Sequence, residues 1–310
     1  MMMMMMRRAV QRRTISSSSL AYEFDLNGFV VLRNVLSQDH VNSMNDAIDA
    51  KRSEAVSRNA KELRNASKHS YFDGDGESNP RIDLGGCMKW EETDAFRELL
   101  VYPQITNALN LLIGKDHRLD HSPLILLQQK NSEGFKLHGG PMLADGSLNP
   151  ELQYRAQNGC IWNSLVAVFV ALTKSNGRSD GGLSLLRGSH KSNFATPPGY
   201  INGDDDEKCA FLDKHLYTPD LNPGDVVLFS ESTVHGARPW QADHERRVVL
   251  LRFSPRNFAY GRSYYFDKPN ENLITSEQAK LFRPPFSARL DKREKEKLNH
   301  DKKVFGHEYF

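Results

Sequence analysis

Short apolar segments alternate with turn residues along the whole chain after Leu119. Each segment is rich in aliphatic, β-branched or aromatic residues and is bounded by Gly, Pro, Asn or Asp, which is typical of strands joined by tight connections. Many short strands with frequent turn signals favour a sandwich or a barrel. The predicted strands cover residues 124–129, 134–138, 165–172, 183–186, 225–229 and 247–253.

The part of the chain before Leu119 is mainly helical in its periodicity. A strand is predicted at residues 28–32, and Ser37 is a suitable N-cap for a helix that continues to about Arg58. Val41 and Met44 lie on the apolar face of that helix. The other predicted features are a polar loop or lid at residues 65–86, a helix over residues 92–114, a helix from Ser276 and a charged segment at residues 291–303.

The fold class predicted from these patterns is mainly β with a helical N-terminal layer (α+β). Residues 23–286 are treated as one domain, and residues 287–310 as a charged C-terminal tail. The leader, residues 1–22, contains no Asp or Glu but four Arg and a run of Ser. That composition fits either an organelle transit peptide or a low-complexity start outside the fold. The expected location is therefore mitochondrial or another organelle in the first case, and cytoplasmic in the second.

Composition narrows the class of protein and of partner. The 310 residues carry a net charge of +2, so neither a nucleic acid nor another polyanion is an expected partner. Three widely spaced cysteines, Cys87, Cys160 and Cys209, argue against a disulfide framework and against a structural zinc site. The longest apolar run, residues 165–172, is too short to span a membrane. The expected partner is a small-molecule substrate, and the oligomeric state stays open.

Two histidines and an arginine carry the candidate chemistry. His138 ends a predicted strand and precedes Gly139 and Gly140, His235 follows 97 residues later, and Arg246 comes 11 residues after His235. Two His and one carboxylate on one face of an iron ion are the usual ligands of non-haem iron oxygenases. The carboxylate is expected two residues after the first His, where this chain has Gly140.

The order and spacing of several motifs resemble the phytanoyl-CoA dioxygenase family of iron(II)/2-oxoglutarate oxygenases. The resemblance covers roughly residues 24–285, and its pieces are residues 27–32, 137–138, 181–191, 223–229, 235–236 and 246–255. It implies a double-stranded β-helix, also called a jelly roll. It also implies that His138 and His235 bind iron(II), and that Arg246 pairs with the distal carboxylate of 2-oxoglutarate. The third ligand of the family falls on Gly140, where this chain departs from the pattern.

Strand alternation separates Arg246 from Arg247. Only one of two adjacent strand residues faces a barrel interior. The spacing from His235 favours Arg246, whose planar guanidinium binds a carboxylate through two hydrogen bonds, and it leaves Arg247 facing solvent. Gln128 is either a cosubstrate-binding residue or a polar residue of an edge strand. His190 is interpreted as structural.

Two acidic residues, Asp145 and Glu231, are candidates to replace the missing carboxylate ligand. Asp145 lies in the loop after Pro141, and Glu231 lies four residues before His235. Four residues of a straight strand span about 13 Å, too far for a shared metal, although a turn would shorten that distance. Asp180 and Asp225 stand beside glycines and are interpreted as turn formers.

Three alternative functions are consistent with a site that has two histidines and an arginine but no carboxylate at position 140. The first is an iron(II)/2-oxoglutarate-dependent dioxygenase that uses O2 to hydroxylate a small molecule. The second is a 2-oxoglutarate-dependent halogenase with chloride at the position of Gly140, and the third is an inactive protein that binds a ligand without turnover. Substrate choice is expected to depend on three predicted loops, residues 65–86, 142–159 and 193–212.

Overall fold

The computed structural model describes residues 17–57, 69–75, 79–260 and 269–285. The predicted leader up to residue 16, parts of the 65–86 loop and the charged tail lie outside the described residues. The prediction that the helix from Ser37 continues to about Arg58 is wrong, because this helix ends at Ala50 and residues 56–57 form a strand. The helices are α1 (Ser17–Asn27), α2 (Gln38–Ala50), α3 (Ala95–Glu98), α4 (Pro103–Leu112), α5 (Pro198–Asn202), α6 (Asp206–His215) and α7 (Ser276–Leu281). The strands are β1 (Phe29–Leu32), β2 (Val56–Ser57), β3 (Ile82–Leu84), β4 (Arg118–Leu119), β5 (Leu124–Gln128), β6 (Phe135–His138), β7 (Tyr154–Gln157), β8 (Cys160–Asn163), β9 (Val166–Ala171), β10 (Ser175–Asn176), β11 (Gly182–Leu186), β12 (Leu216–Tyr217), β13 (Asp220–Leu221), β14 (Val226–Ser230), β15 (His235–Arg238) and β16 (Arg246–Ser254).

Two antiparallel sheets form the body of the protein. The larger sheet has the strand order β1-β14-β9-β16-β5-β3-β2, with β4 also paired to β16. The smaller sheet has the order β12-β11-β15-β6. The long strands β5, β9, β14 and β16 of the larger sheet alternate along the chain with β6, β11 and β15 of the smaller one. This alternation between two facing sheets is the double-stranded β-helix that the sequence led us to expect.

The larger sheet is buried on both faces. Towards the smaller sheet it presents Phe169, Phe229 and Leu250, and towards the helices it presents Val249 and Phe253. Burial on both faces explains why β9 reads as an unbroken apolar run rather than as an alternating strand.

The observed helices agree only in part with those predicted from the sequence. Ser37 caps α2 as predicted, with its Oγ accepting a hydrogen bond from the backbone N–H of His40. The prediction of one helix over residues 92–114 is wrong, because the chain is extended at Tyr102 and restarts as α4 at Pro103. A residue that precedes proline is driven out of the helical region by the proline ring, while proline itself is well suited to the first helical turn.

Helix α1 overlaps the predicted leader, and the exclusion of residues 17–22 from the fold is therefore wrong. Leu20 and Phe24 of this helix are buried in the core between the larger sheet and the helices. The Tyr154 hydroxyl also donates a 2.5 Å hydrogen bond to Asp25. Among the described residues, no helix is long and apolar enough to cross a membrane.

Three segments predicted as loops contain regular structure. Residues 65–86 include β3, residues 142–159 include β7, and residues 193–212 include α5 and most of α6. Elements of two to five residues, such as β3 and α5, are too short to show a periodic pattern in the sequence. Their place in the fold is set by tertiary contacts.

His190 is a buried structural residue, as interpreted from the sequence. Its side chain is 0% exposed, its Nε2 lies 3.1 Å from the Asp25 carbonyl oxygen, and its ring packs against Tyr154. Burial, together with the positive charge of Lys191, lowers the pKa of His190 to about 4. The fold therefore favours the neutral ring.

Because of His190, the free energy of unfolding should decrease as the pH is lowered. Its stabilising effect is complete above the ordinary histidine pKa of 6.5 and is lost as the pH falls towards 4. The loss over this window amounts to about 3 kcal/mol of unfolding free energy. We expect His190→Gln to remove that part of the pH dependence in urea unfolding curves, while His244→Gln, at an exposed position, leaves it intact. Equal pH dependence in wild type and His190→Gln would contradict the prediction.

Candidate functional site

The two candidate histidines lie side by side. His138 is the last residue of β6, His235 is the first of β15, and the two are direct cross-strand partners in the smaller sheet. Their ring centroids are 4.1 Å apart with an angle of 52° between the planes. The Phe229 ring, from the facing sheet, lies 4.8 Å from the His235 ring. The rings therefore occupy one end of the space between the two sheets.

Backbone carbonyl groups orient both imidazole rings. The Nδ1 atom of His138 lies 3.2 Å from the Lys136 carbonyl oxygen, and that of His235 lies 2.6 Å from the Thr233 carbonyl oxygen. Because a carbonyl oxygen only accepts, Nδ1 carries the proton in each ring and Nε2 carries the lone pair. This is the arrangement in which a protein presents histidine Nε2 to a metal ion.

Gly139 and Gly140 let two backbone turns come into close contact. Their φ angles are +94° and +98°, a region that favours glycine. A Cβ on Gly139 would lie 2.7 Å from the Thr233 carbonyl oxygen and 2.8 Å from that of Glu231. The Gly140 N–H also donates a 3.0 Å hydrogen bond to the Ser232 carbonyl oxygen. The turn that follows His138 is thus joined to the turn that precedes His235.

Glu231 reaches the histidine pair because residues 230–234 form a turn. The Thr233 N–H donates to the Ser230 carbonyl oxygen at 2.8 Å, so the straight-strand estimate of about 13 Å does not apply. Glu231 is buried, with one carboxylate oxygen 3.5 Å from Nε2 of His235 and the other 2.5 Å from Nε of Arg252. Burial by itself would raise the pKa of Glu231, but Arg252 and the two imidazoles lower it to about 2. A carboxylate therefore lies beside the histidine pair.

The other acidic residues considered from the sequence form turns. Asp145 is exposed, and its carboxylate accepts hydrogen bonds from the backbone and hydroxyl of Ser147. Asp180 accepts from the backbone and side chain of Asn176, and Asp225 accepts from the backbone N–H groups of Asn34 and Asn222. These contacts agree with the turn-forming roles predicted for Asp180 and Asp225.

Arg246 is a buried cation between the two sheets. Its guanidinium donates to the side-chain oxygen of Gln128, lies 5.4 Å from the centroid of the Phe169 ring and packs against the backbone of Gly182. Burial, with Arg81 nearby, lowers the pKa of Arg246 to about 9. Among the described residues, no carboxylate forms an ion pair with it. A buried charge without a counter-charge is costly, and an anionic ligand would relieve that cost.

Gln128 contacts Arg246 directly, whereas Arg247 lies on the opposite face of the strand. The amide of Gln128 contacts Arg246 through its oxygen and donates to the Glu133 carbonyl oxygen at 3.0 Å through its nitrogen, so it positions the guanidinium. Arg247 faces away from the interior, as alternation predicts. However, it does not point into solvent: it forms ion pairs with Asp49 and Glu245 at 2.6 and 2.8 Å.

Two further arginines of the interior were missed in the sequence. Arg252 has the same strand parity as Arg246, so the period of two along β16 was a usable signal. Arg81 lies in the segment taken for a loop, forms an ion pair with Asp83, and sits 5.0 Å from the centroid of the Phe135 ring. No periodic pattern marks a three-residue strand such as the neighbouring β3.

Cavities are found at two places near these residues. The one that Arg246 lines, together with Phe169, Leu183 and Trp240, has a volume of only about 10 Å³. A second, of about 870 Å³, opens beside the end of β11 and is lined in part by residues 192–200. The Leu186 N–H at its wall donates to the carbonyl oxygen of Val234, the neighbour of His235. The wall of the larger cavity is thus joined to the residue before His235, although neither His138 nor His235 lines the cavity.

The fold and the site together define a jelly-roll protein with paired histidines and a buried arginine between its sheets. The family model of phytanoyl-CoA dioxygenase (PhyH) matches residues 24–248. Since this is most of the chain, the protein belongs to the PhyH family. No curated protein matches it in sequence.

Solved structures of non-haem 2-oxoglutarate-dependent enzymes share the fold. HygX from Streptomyces hygroscopicus, solved with nickel, 2-oxoglutarate and hygromycin B, has a TM-score of 0.60 and 19% identity, covering 82% of this chain and 92% of HygX. The epimerase SnoN from nogalamycin biosynthesis has a TM-score of 0.54 and 17% identity, covering 82% and 88% of the two chains. The carbocyclase SnoK from the same biosynthesis has a TM-score of 0.51 and 14% identity, covering 84% and 93%. The predicted jelly roll is confirmed.

The backbone at Gly140 should resist a side chain. With φ at +98°, Gly140→Asp is expected to lower the unfolding free energy by about 1–2 kcal/mol, although its Cβ would have room. Restoring the family's carboxylate at this position is therefore not a simple exchange. Gly85→Ala is the control, since a Cβ there meets nothing within 4 Å, and it should change stability by less than about 0.5 kcal/mol. Urea unfolding measures both, and an unchanged Gly140→Asp protein would show that the turn is not strained.

Proposed function

We propose that this protein is an iron(II)- and 2-oxoglutarate-dependent oxidoreductase that hydroxylates a small molecule. The observation that carries the proposal is the placement of two oriented imidazoles and one uncompensated guanidinium between the same two sheets. The 4.1 Å separation of the ring centroids suits two ligands of one metal ion. Family membership and the bound ligands of HygX, which was solved with iron and with nickel and 2-oxoglutarate, support it further.

Different residues of the site would bind the metal and the cosubstrate. His138 and His235 would hold iron(II) through Nε2, and their carbonyl partners would keep the rings from rotating. Arg246 would bind the distal carboxylate of 2-oxoglutarate through two hydrogen bonds, and Gln128 would hold the guanidinium in place. The bound metal supplies the activation of O2. Because the cavity at Arg246 is small, the neighbouring side chains must move apart to admit the cosubstrate.

The substrate is expected to enter from the larger cavity. Residues 194–197 and Tyr200, which lie in the segment expected to set substrate choice, form part of its wall. Aromatic rings of Tyr200, Phe211 and Tyr217 line it together with the cationic side chains of Arg187 and Lys214. A small organic molecule fits these walls better than a macromolecule does.

Halogenation is the second candidate function, because Gly140 leaves room beside the histidines. A Cβ there would first meet Val234 at 3.5 Å, so a small anion such as chloride has space. The nearby Glu231 carboxylate disfavours a second anion and supports hydroxylation instead. Turnover with and without chloride distinguishes the two: identical products would exclude halogenation, and a chlorinated product would exclude a purely hydroxylating enzyme.

Chelate formation separates an enzyme from an inactive binding protein without knowledge of the substrate. Under anaerobic conditions, iron(II) and 2-oxoglutarate should together produce the visible charge-transfer band of the chelate in the wild type. His138→Ala and His235→Ala should each abolish it, because each removes a metal ligand. Circular dichroism and thermal melting serve as folding controls. A wild type that gives no band would show that the site has lost its chemistry.

Arg246 rather than Arg247 should control cosubstrate affinity. Arg246→Lys replaces a two-pronged hydrogen bond with a point charge. We expect it to weaken 2-oxoglutarate binding about tenfold or more, which corresponds to about 1.5 kcal/mol. Arg247→Lys is the matched control on the opposite strand face and should leave the affinity within about twofold. Anaerobic calorimetry of the metal-loaded protein measures both, and the reverse order of effects would show that the wrong strand face was assigned.

A further inference from the structure

The geometry points to Glu231 as the protein carboxylate that completes the metal site in place of the one absent at Gly140. This inference rests on the proposed function and extends it, because it assigns a third protein ligand. The family position two residues after the first histidine offers only a hydrogen atom here. The carboxylate instead comes from the turn before the second histidine.

The distance between Glu231 and His235 suits two ligands of one ion. The carboxylate oxygen and Nε2 of His235 are 3.5 Å apart. Ligands bound at about 2.1 Å each lie about 3.0 Å apart at a right angle and about 3.6 Å apart at 120°. The centroid of the His138 ring lies 4.1 Å from that of His235. One ion could therefore contact both rings and this oxygen.

Backbone contacts hold the Glu231 turn in place from three sides. The Ser230 N–H donates to the Gly28 carbonyl oxygen at 2.9 Å, and the Glu231 N–H donates to the Leu165 carbonyl oxygen at 3.0 Å. The third side is the contact with Gly139, where a side chain would collide with the Glu231 carbonyl oxygen at 2.8 Å. Gly140 offers no carboxylate, but the neighbouring Gly139 allows the turn that carries the Glu231 carboxylate to approach the histidines.

Arg252 gives Glu231 the environment of an oriented ligand. One carboxylate oxygen accepts from Nε of Arg252, and the other faces His235. Metal-bound carboxylates are commonly fixed by such a hydrogen bond on the second oxygen. Among the described residues, no group of three or more His, Cys, Asp or Glu is already close enough together to hold a metal ion. A small movement of the Glu231 side chain towards the imidazoles is therefore part of the inference.

The competing explanation is that Glu231 only pairs with Arg252 to stabilise the fold. Such a role would make Glu231 and Arg252 equally important for stability and irrelevant to metal affinity. Removing one member of a buried pair is destabilising because the other charge is left uncompensated. The double variant Glu231→Gln/Arg252→Gln removes both charges and keeps the test valid if the single variant is unstable.

The experiment measures cobalt(II) and anaerobic iron(II) binding by equilibrium dialysis without 2-oxoglutarate. Glu231→Gln, alone and combined with Arg252→Gln, should weaken metal binding about 100-fold, since even residues that only support a ligand are worth 10–100-fold. Arg252→Gln alone should cost at least about tenfold less than Glu231→Gln. Glu245→Gln is the matched control, because Glu245 is paired with Arg52 and Arg247 on the outer face of the sheet, and it should bind metal like the wild type.

Each outcome separates this inference from the proposed function. If the wild type binds metal and Glu231→Gln binds it equally well, Glu231 is not a ligand, while the function assigned to His138 and His235 stands. The inference would also be overturned if Glu231→Gln and Arg252→Gln lost metal affinity equally, in proportion to their loss of stability, and if the double variant regained that affinity. If neither the wild type nor any variant binds metal, the proposed function itself fails.

Discussion

The site depends on the close approach of two backbone turns, residues 138–140 and 230–234. Their contact requires glycine at position 139, since a Cβ there would lie 2.7 Å from the Thr233 carbonyl oxygen. It is fixed by the hydrogen bond from Gly140 to Ser232 and by the cross-strand pairing of His138 with His235. The positions of both imidazoles and the reach of Glu231 depend on this contact, while the carbonyl groups of Lys136 and Thr233 fix the tautomers of the rings.

The interior contains two places whose side chains suit a charged ligand, the histidine pair and Arg246. At one end, Glu231 and Arg252 neutralise each other beside the two imidazoles. At the other, Arg246 is buried with hydrogen-bond and aromatic partners, and no acid among the described residues pairs with it. A divalent cation at the first end and a dicarboxylate that reaches the second would satisfy both. Under the proposed function, the anionic cosubstrate would thus offset the cost of burying the Arg246 guanidinium.

The sequence allowed much of this arrangement to be predicted, for identifiable reasons. Strands β5, β9, β14 and β16 of the larger sheet were found because they are apolar and bounded by turn residues, and alternation placed Arg246 and Arg247 on opposite faces. The sequence left open whether Glu231 reaches His235, because a straight strand keeps them apart and a turn brings them together; the hydrogen bond from Thr233 to Ser230 shows that the turn forms. Strand β15 was missed because its sequence, His-Gly-Ala-Arg, contains no β-branched or large aliphatic residue, and β3 was missed because it is only three residues long. Residues 17–22 were misassigned because composition alone does not show that Leu20 is buried.

The most direct test of the site is a crystal structure obtained anaerobically with iron(II) and 2-oxoglutarate, with the metal located by its anomalous scattering. The predicted result is one iron ion bound by Nε2 of His138 and of His235 and by a carboxylate oxygen of Glu231. The distal carboxylate of 2-oxoglutarate should lie on the guanidinium of Arg246. Iron bound elsewhere, or bound without both histidines, would contradict the assignment of this site.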